Sequence, residues 1–326
     1  MGLRCLRFRS GASVGGARGE WRAEHLAVWV AGQQAIGITM FQVRSPADGR
    51  VVGTVCEASP DQIEEAVAAA AAAAAPLAAL PAHRRAAALA HVSDCIAARA
   101  EELAAVICAE NGKPITWARA EVTRAALTFR WAAGEARRVR LTPPGGSTPT
   151  RGEGRLAVVR RFPRGPVLGI SPFNFPLNLV AHKVAPALAV GAPIVMKPAP
   201  KTPLSALLLG KLLSETDLPS GSWSVLTVPN AALPELVADP RLPVVSFTGS
   251  GPVGWQIRAA VPTKHVTLEL GATPQSWSPP TGRSRQTFGG PPNESPALRL
   301  IRPASPAYPS SASTPTRACV TRCCPR

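Results

Sequence analysis

The chain has 326 residues, 46% of them hydrophobic and 17% charged, and a formal charge of +16. That length and apolar content can bury a sizeable core, and no apolar run reaches the ~20 residues of a membrane span, so neither a wholly disordered chain nor a membrane partner is expected. The charge invites a nucleic-acid reading, but residues 1–39 hold five Arg against two Glu and residues 273–326 seven Arg against one Glu, while the middle lacks a basic run with interleaved aromatics, so no nucleic-acid partner is expected.

Residues 1–39 are rich in Gly and Arg without sustained periodicity, and read as a disordered or wrongly included leader. From Met40, "MFQVRSPADGRVVGTV" gives a strand–turn–strand pattern around Asp48-Gly49. Ser59 followed by Pro60 and Gln62 has the spacing of a capping box at the start of an alanine-rich helix, expected to stop at Pro76. A second helix is expected over about 81–110, ending at "ENGKP", and a third over about 115–138. "TPPGGSTPTRGEG" is a loop, and "RLAVVRRFPRGPVLGI" reads as two strands broken at Pro163-Arg164-Gly165.

Beyond residue 166, strands and helices alternate. "APIVMKP", "WSVLTVP", "PVVSFTG" and "HVTLELG" are strands; "TPLSALLLGKLLSET", a segment near 231–238 and a segment from Pro252 are helices. Such alternation points to an α/β fold with a Rossmann-like parallel sheet and covering helices. The expected organisation is a leader over 1–39, a body over 40–271 and a tail over 272–326. Within the body, residues 59–140 are helical, 155–171 are bridging strands and 166–271 form βα units. The tail holds eleven Pro, eight Ser and no Lys or Asp, a composition that cannot bury a core.

Seven cysteines give no disulfide framework. Cys56, Cys95 and Cys108 lie in apolar contexts and read as reduced core residues. Cys319, Cys323 and Cys324 have no zinc-like spacing, so no metal site is expected and a cytoplasmic setting is the default.

"FTGSGPVGW" places Gly249, Gly251 and Gly254 in a GxGxxG after a strand and before a helix, where helix-terminal N–H groups favour a pyrophosphate. Glu269 closes the next strand. By spacing alone it is either a ribose-binding acid or a structural strand-end residue.

The segments "GPVLGISPFNFPLNLVAHKVAPALAVGAPIVMKPAPKTPLSALLL", "VSFTGSGPVG" and "VTLELG" strongly resemble the aldehyde dehydrogenase superfamily, and the resemblance covers about residues 43–271. It implies the cofactor-binding domain of that family and the oxidation of a small aldehyde to an acid with NAD or NADP. In that chemistry a cysteine thiolate attacks the aldehyde, hydride leaves to the cofactor, and a glutamate-activated water releases the acid. Asn174 matches the side-chain donor to the oxyanion, Glu269 the general base, expected to be partly desolvated, and Lys183 a lysine near the catalytic centre or else a helix-surface lysine. The resemblance further implies cofactor contacts at Ile170, Ser171, Pro172, Phe173, Lys197, Pro198, Ala199, Pro200, Phe247, Gly249, Ser250, Leu270 and Gly271. Pro200 stands where NAD-preferring members often carry a glutamate, so NADP use is expected to be tolerated. Family members are homo-oligomers.

The resemblance stops after Gly271. The expected Gly-Gln-x-Cys-like segment is missing, and none of Cys319, Cys323 and Cys324 has its neighbours, so no nucleophile is assigned. A reading frame shifted by one base at the Gly271 codon admits "GNAPVVVAAD", a buried strand ending in an acid. We therefore read the tail as the product of a frame slip, and expect the printed chain to be a truncated, inactive family member. The alternative is a non-catalytic nucleotide-binding remnant that partners an intact relative.

Overall fold

The computed structural model describes residues 12–14, 21–138 and 161–271, with side chains from Leu26 onward. The expected loop over 142–154, most of the first bridging strand and the whole 272–326 tail, with its proposed frame slip, lie outside the described residues; Arg161 and Phe162, at the end of that strand, are not in a strand. So does the start of the leader.

A four-stranded sheet is formed by β1 (Ala12–Val14), β2 (Trp21–Leu26), β6 (Val51–Glu57) and β5 (Thr39–Arg44), in that spatial order. β5 and β6 are the hairpin expected around Asp48-Gly49, paired antiparallel. The expected capping box then starts α1 (Pro60–Ala79): Ser59 Oγ accepts from the Gln62 N–H at 3.1 Å, and Gln62 Oε1 accepts from the Ser59 N–H at 2.9 Å. α1 does not stop at Pro76. A proline removes its own N–H and crowds the carbonyl one turn back, but the Pro76 carbonyl still accepts from Leu80 N at 3.0 Å and Leu77 fills the core.

The single helix expected over 81–110 is two, α2 (Ala82–Ala98) and α3 (Ala100–Asn111). No Gly or Pro marks the break. Arg99 leaves the helical region with φ −112° and ψ 26°, and its guanidinium meets Glu215 at 3.2 Å. A tertiary ion pair accompanies a bend that local punctuation does not announce. α4 (Ile115–Arg138) has the expected bounds and packs across α2 through Val122, Ala125 and the fully buried Phe129. No single described helix is long and apolar enough to cross a membrane.

The second sheet has seven strands in the order β11-β10-β7-β8-β9-β3-β4. β7 (Val167–Ile170), β8 (Ile194–Lys197), β9 (Trp223–Val225), β10 (Val244–Gly249) and β11 (His265–Leu270) are parallel. α5 (Asn178–Val190), α6 (Leu204–Ser214), α7 (Leu233–Ala238) and α8 (Gly251–Ala260) make the crossovers. β8 is buried on both faces, as its continuous apolar run requires. Among the described residues β11 is an edge strand, and its side chains alternate between the core and solvent. The chain runs β7-β8-β9 outward, then returns to place β10 on the other side of β7. The order therefore reverses between β7 and β10, the place where open α/β sheets bind ligands.

The sheet differs from the expectation at its far edge. β3 (Val28–Val30) and β4 (Gln33–Ala35) come from the stretch read as leader and add two antiparallel strands beyond β9. Trp29 holds them there. It is 6% exposed, its Nε1 donates to the Leu207 carbonyl at 2.9 Å, and its ring lies 5.5 Å from that of Trp223. Three residues are too short to show periodicity, so only the tertiary contact reveals this strand.

Candidate functional site

Four parallel strands bring their last residues to one edge of the sheet. Register sets Ile170 beside both Lys197 and Phe247, Thr248 beside Glu269, and Gly249 beside Leu270. Ser171, Pro198, Ser250 and Gly271 follow directly. The expected cofactor residues thus share one rim, with Ile170, Ser171, Lys197, Pro198 and Phe247 buried. Pro172, Ala199, Gly249 and Leu270 are half-buried, and Phe173, Pro200, Ser250 and Gly271 are exposed.

Several features of this rim fit a dinucleotide. Ser171 Oγ is buried at the reversal point with no hydrogen-bond partner among the described residues, while the Ser171 N–H donates to the Lys197 carbonyl at 3.2 Å. Burial pushes the Lys197 ammonium down to about 8, and its Nζ reaches the Pro198 carbonyl at 3.3 Å. No side chain caps α8 at Ser250, which leaves first-turn N–H groups for an anion. Gly254 has a packing reason, since a Cβ there would collide with Leu270 and tie α8 less closely to β11. Between α7 and α8 lies an apolar cleft of about 230 Å³, lined by Leu233, Val237, Val253 and Ile257 together with Asn230 and Gln256, of a size for a flat ring.

A second group joins three residues of different elements. Lys183 is 4% exposed, which removes the helix-surface alternative. Its Nζ donates to Ser246 Oγ at 3.0 Å and to Thr248 Oγ1 at 2.8 Å. The Thr248 hydroxyl in turn donates to Glu269 Oε2 at 2.7 Å. Burial pushes Lys183 down to about 8, with the Glu269 charge pulling the other way. Glu269 itself is exposed rather than partly desolvated as expected, because β11 is the edge strand. Thr248 and Ser246 were missed from the sequence; they read only as polar residues of a strand.

Asn174 lines one cavity with the rim residues Phe173 and Pro200. It is exposed and shares that cavity, of about 610 Å³, with Arg44, Glu110 and Lys201. Among the described residues, no hydrogen bond joins it to Lys183, Thr248 or Glu269.

Cys56 is buried and Cys108 half-buried, and both are free. Burial raises the Cys108 thiol, the opposite of what activates a nucleophile. Cys95 is fully buried in the core, as expected, with its Sγ 3.4 Å from His91 Nε2 and 3.8 Å from Glu215 Oε2. His91, Cys95 and Glu215 bring one ligand atom each within 4.8 Å of one another, and Glu215 is also paired with Arg99 at 3.2 Å.

Residues 29–276 match the model of the aldehyde dehydrogenase family. This chain belongs to the aldehyde dehydrogenase family. The match begins at Trp29, so it takes in β3 as well as the segments noticed in the sequence. The chain is 40% identical over 190 residues to 3-sulfolactaldehyde dehydrogenase of Priestia megaterium, covering 58% of this chain and 40% of that protein. It is 34% identical over 234 residues to succinate-semialdehyde dehydrogenase [NADP(+)] of Escherichia coli, covering 71% and 48%. Among solved structures, aldehyde dehydrogenase 21 of Physcomitrella patens, in complex with the reaction product succinate, superposes with a TM-score of 0.73 at 42% identity, covering 76% of this chain and 52% of that one. NADP-dependent glyceraldehyde-3-phosphate dehydrogenase of Bacillus halodurans, complexed with NADP, gives 0.71 at 31%, covering 76% and 53%. The chain spans about half the length of the relatives it matches.

Proposed function

We propose that this aldehyde dehydrogenase chain supplies the cofactor-binding half of an aldehyde-oxidising site. The observation that carries the reading is the shared rim at the β7/β10 reversal, where an orphaned buried hydroxyl, a buried ammonium and an open helix start converge. A nicotinamide dinucleotide bound there would accept the hydride removed from the aldehyde. The α8 start would hold its pyrophosphate, Lys197 a ribose hydroxyl, and the cleft between α7 and α8 its adenine ring. Pro200 and Lys201 bring no carboxylate of their own beside a 2′-phosphate, which supports NADP+ use.

Glu269 would take a proton from an attacking water, and Thr248 and Lys183 orient its carboxylate through their hydrogen-bonded chain. Asn174 would donate to the carbonyl oxygen. Among the described residues no free thiol lies on this rim, so the covalent step has no nucleophile there and the described part binds cofactor without completing turnover. The relatives named for succinate semialdehyde and sulfolactaldehyde support a short aldehyde with an acidic group as the substrate class. Absorbance at the reduced-nicotinamide band, with NADP+ and succinate semialdehyde, tests turnover: steady formation of NADPH would contradict the binding-only reading.

A further inference from the structure

The turn "ENGKP" reads in the sequence only as a helix stop, yet its side chains reach across to the loop that carries Asn174. Asn111 Nδ2 donates to the Phe173 carbonyl at 2.8 Å, and Lys113 Nζ donates to the Asn174 carbonyl at 2.8 Å. No backbone donor meets either carbonyl among the described residues; Thr202 Oγ1 adds a longer bond to Phe173 at 3.3 Å. The same Lys113 Nζ pairs with Glu121 Oε2 at 2.5 Å and lies 3.9 Å above the Phe175 ring. The other Glu121 oxygen accepts from the N–H groups of Leu177 and Asn178, at 3.0 and 3.1 Å, and so caps the start of α5.

We propose that Lys113 and Glu121 are positioning residues: together they clamp the 172–177 loop and fix where Asn174 stands relative to α5. The inference rests on the reading of Asn174 as the donor to the aldehyde oxygen. Three observations carry it. The Glu121 side chain is fully buried and that of Lys113 is 7% exposed, and a buried ion pair is a poor source of stability compared with apolar packing. The pair's bonds converge on one loop and one helix start rather than on the core. The turn is also shaped to deliver them: Gly112 has φ 74°, and a Cβ there would lie 2.7 Å from Pro46. Because Lys183 sits on α5, the Glu121 cap sets the start of the helix that carries it, so one clamp places two of the proposed site residues.

Hydrogen–deuterium exchange of the full chain tests this. In Lys113→Met, peptides covering 172–178 should exchange ~10-fold faster, as loss of a charge-assisted bond implies, while β10 and β11 are unchanged. Lys113→Arg, which keeps the charge and donors, should restore the slow rate, which a general loss of packing volume would not predict. Should Lys113→Met not fold, Asn111→Ala gives the second test, with a smaller acceleration confined to the same peptides. Unchanged exchange over 172–178 in the folded variants, or no rescue by arginine, would overturn the proposal. NADP+ titration of the unmodified chain judges the cofactor reading separately, so failure there is not confused with failure of the clamp.

Discussion

Lys183 Nζ lies 2.8 Å from Thr248 Oγ1, and that hydroxyl passes its own proton toward Glu269, so a buried ammonium and an exposed carboxylate are joined through one threonine. The arrangement is electrostatically coupled. The Glu269 charge favours the ammonium form of Lys183, while burial opposes it and holds the group at about 8. Glu269→Gln removes the favourable charge, so the Lys183 pKa should fall further below its ordinary value. A nitrogen-15 NMR titration of the lysine Nζ checks this, and a rise in the variant would be the wrong sign.

Lys197 should weigh against stability in order to serve binding. Its folded pKa of about 8 lies below the ordinary 10.5, so at pH 7 the folded state bears the whole cost of a buried charge. As pH rises from 8 to 10.5 the folded group releases its proton before the unfolded one, and stability increases over that window. Each depressed lysine contributes roughly 3 kcal/mol to that rise. Lys197→Met should therefore be more stable than the parent at pH 7, by ~1–3 kcal/mol, and show a flatter profile between pH 8 and 10.5. Urea denaturation at several pH values measures both.

Glu110 predicts the opposite slope in a different window. Burial pushes it up to about 7, although its carboxylate accepts from the N–H groups of Leu204 and Ser205 at 2.7 and 3.0 Å at the start of α6. Between about 4.5 and 7 the folded state keeps the proton that the unfolded state has lost, so stability falls as pH rises. Glu110→Gln keeps an acceptor oxygen for one of those N–H groups, turns its amide nitrogen to the other, and should abolish this fall. Glu110→Ala leaves them bare and should cost ~3 kcal/mol at pH 5.

Trp29 tests the correction at the N-terminal side. If β3 belongs to the sheet as its burial says, Trp29→Ala should lose ~3–5 kcal/mol of stability. A denaturation midpoint equal to that of the parent would return residues 28–35 to the leader.

The fold was legible wherever local chemistry and tertiary structure agree. The capping box at Ser59, the α4 bounds and the alternation of "HVTLEL" are each set by neighbours in the chain. Arg99, Trp29 and Lys113 were not legible for one shared reason. Each takes its role from a partner far along the chain: Glu215, Leu207 and Asn174 respectively. The strand-end residues of the rim were readable because parallel strands end together, so motif order alone gathers Ile170, Lys197, Gly249 and Leu270. Asn174 was readable as a residue type, but not as one sharing a cavity with Arg44 and Glu110.

The most direct test of the account is calorimetric titration of NADP+ and NAD+ into the folded chain and into Lys197→Met. Saturable one-site binding is expected, weakened about tenfold in the variant through loss of a charge-assisted hydrogen bond. A folded chain that binds neither dinucleotide, or a variant that binds as tightly as the parent, would contradict the assignment of the β7/β10 rim as a cofactor site.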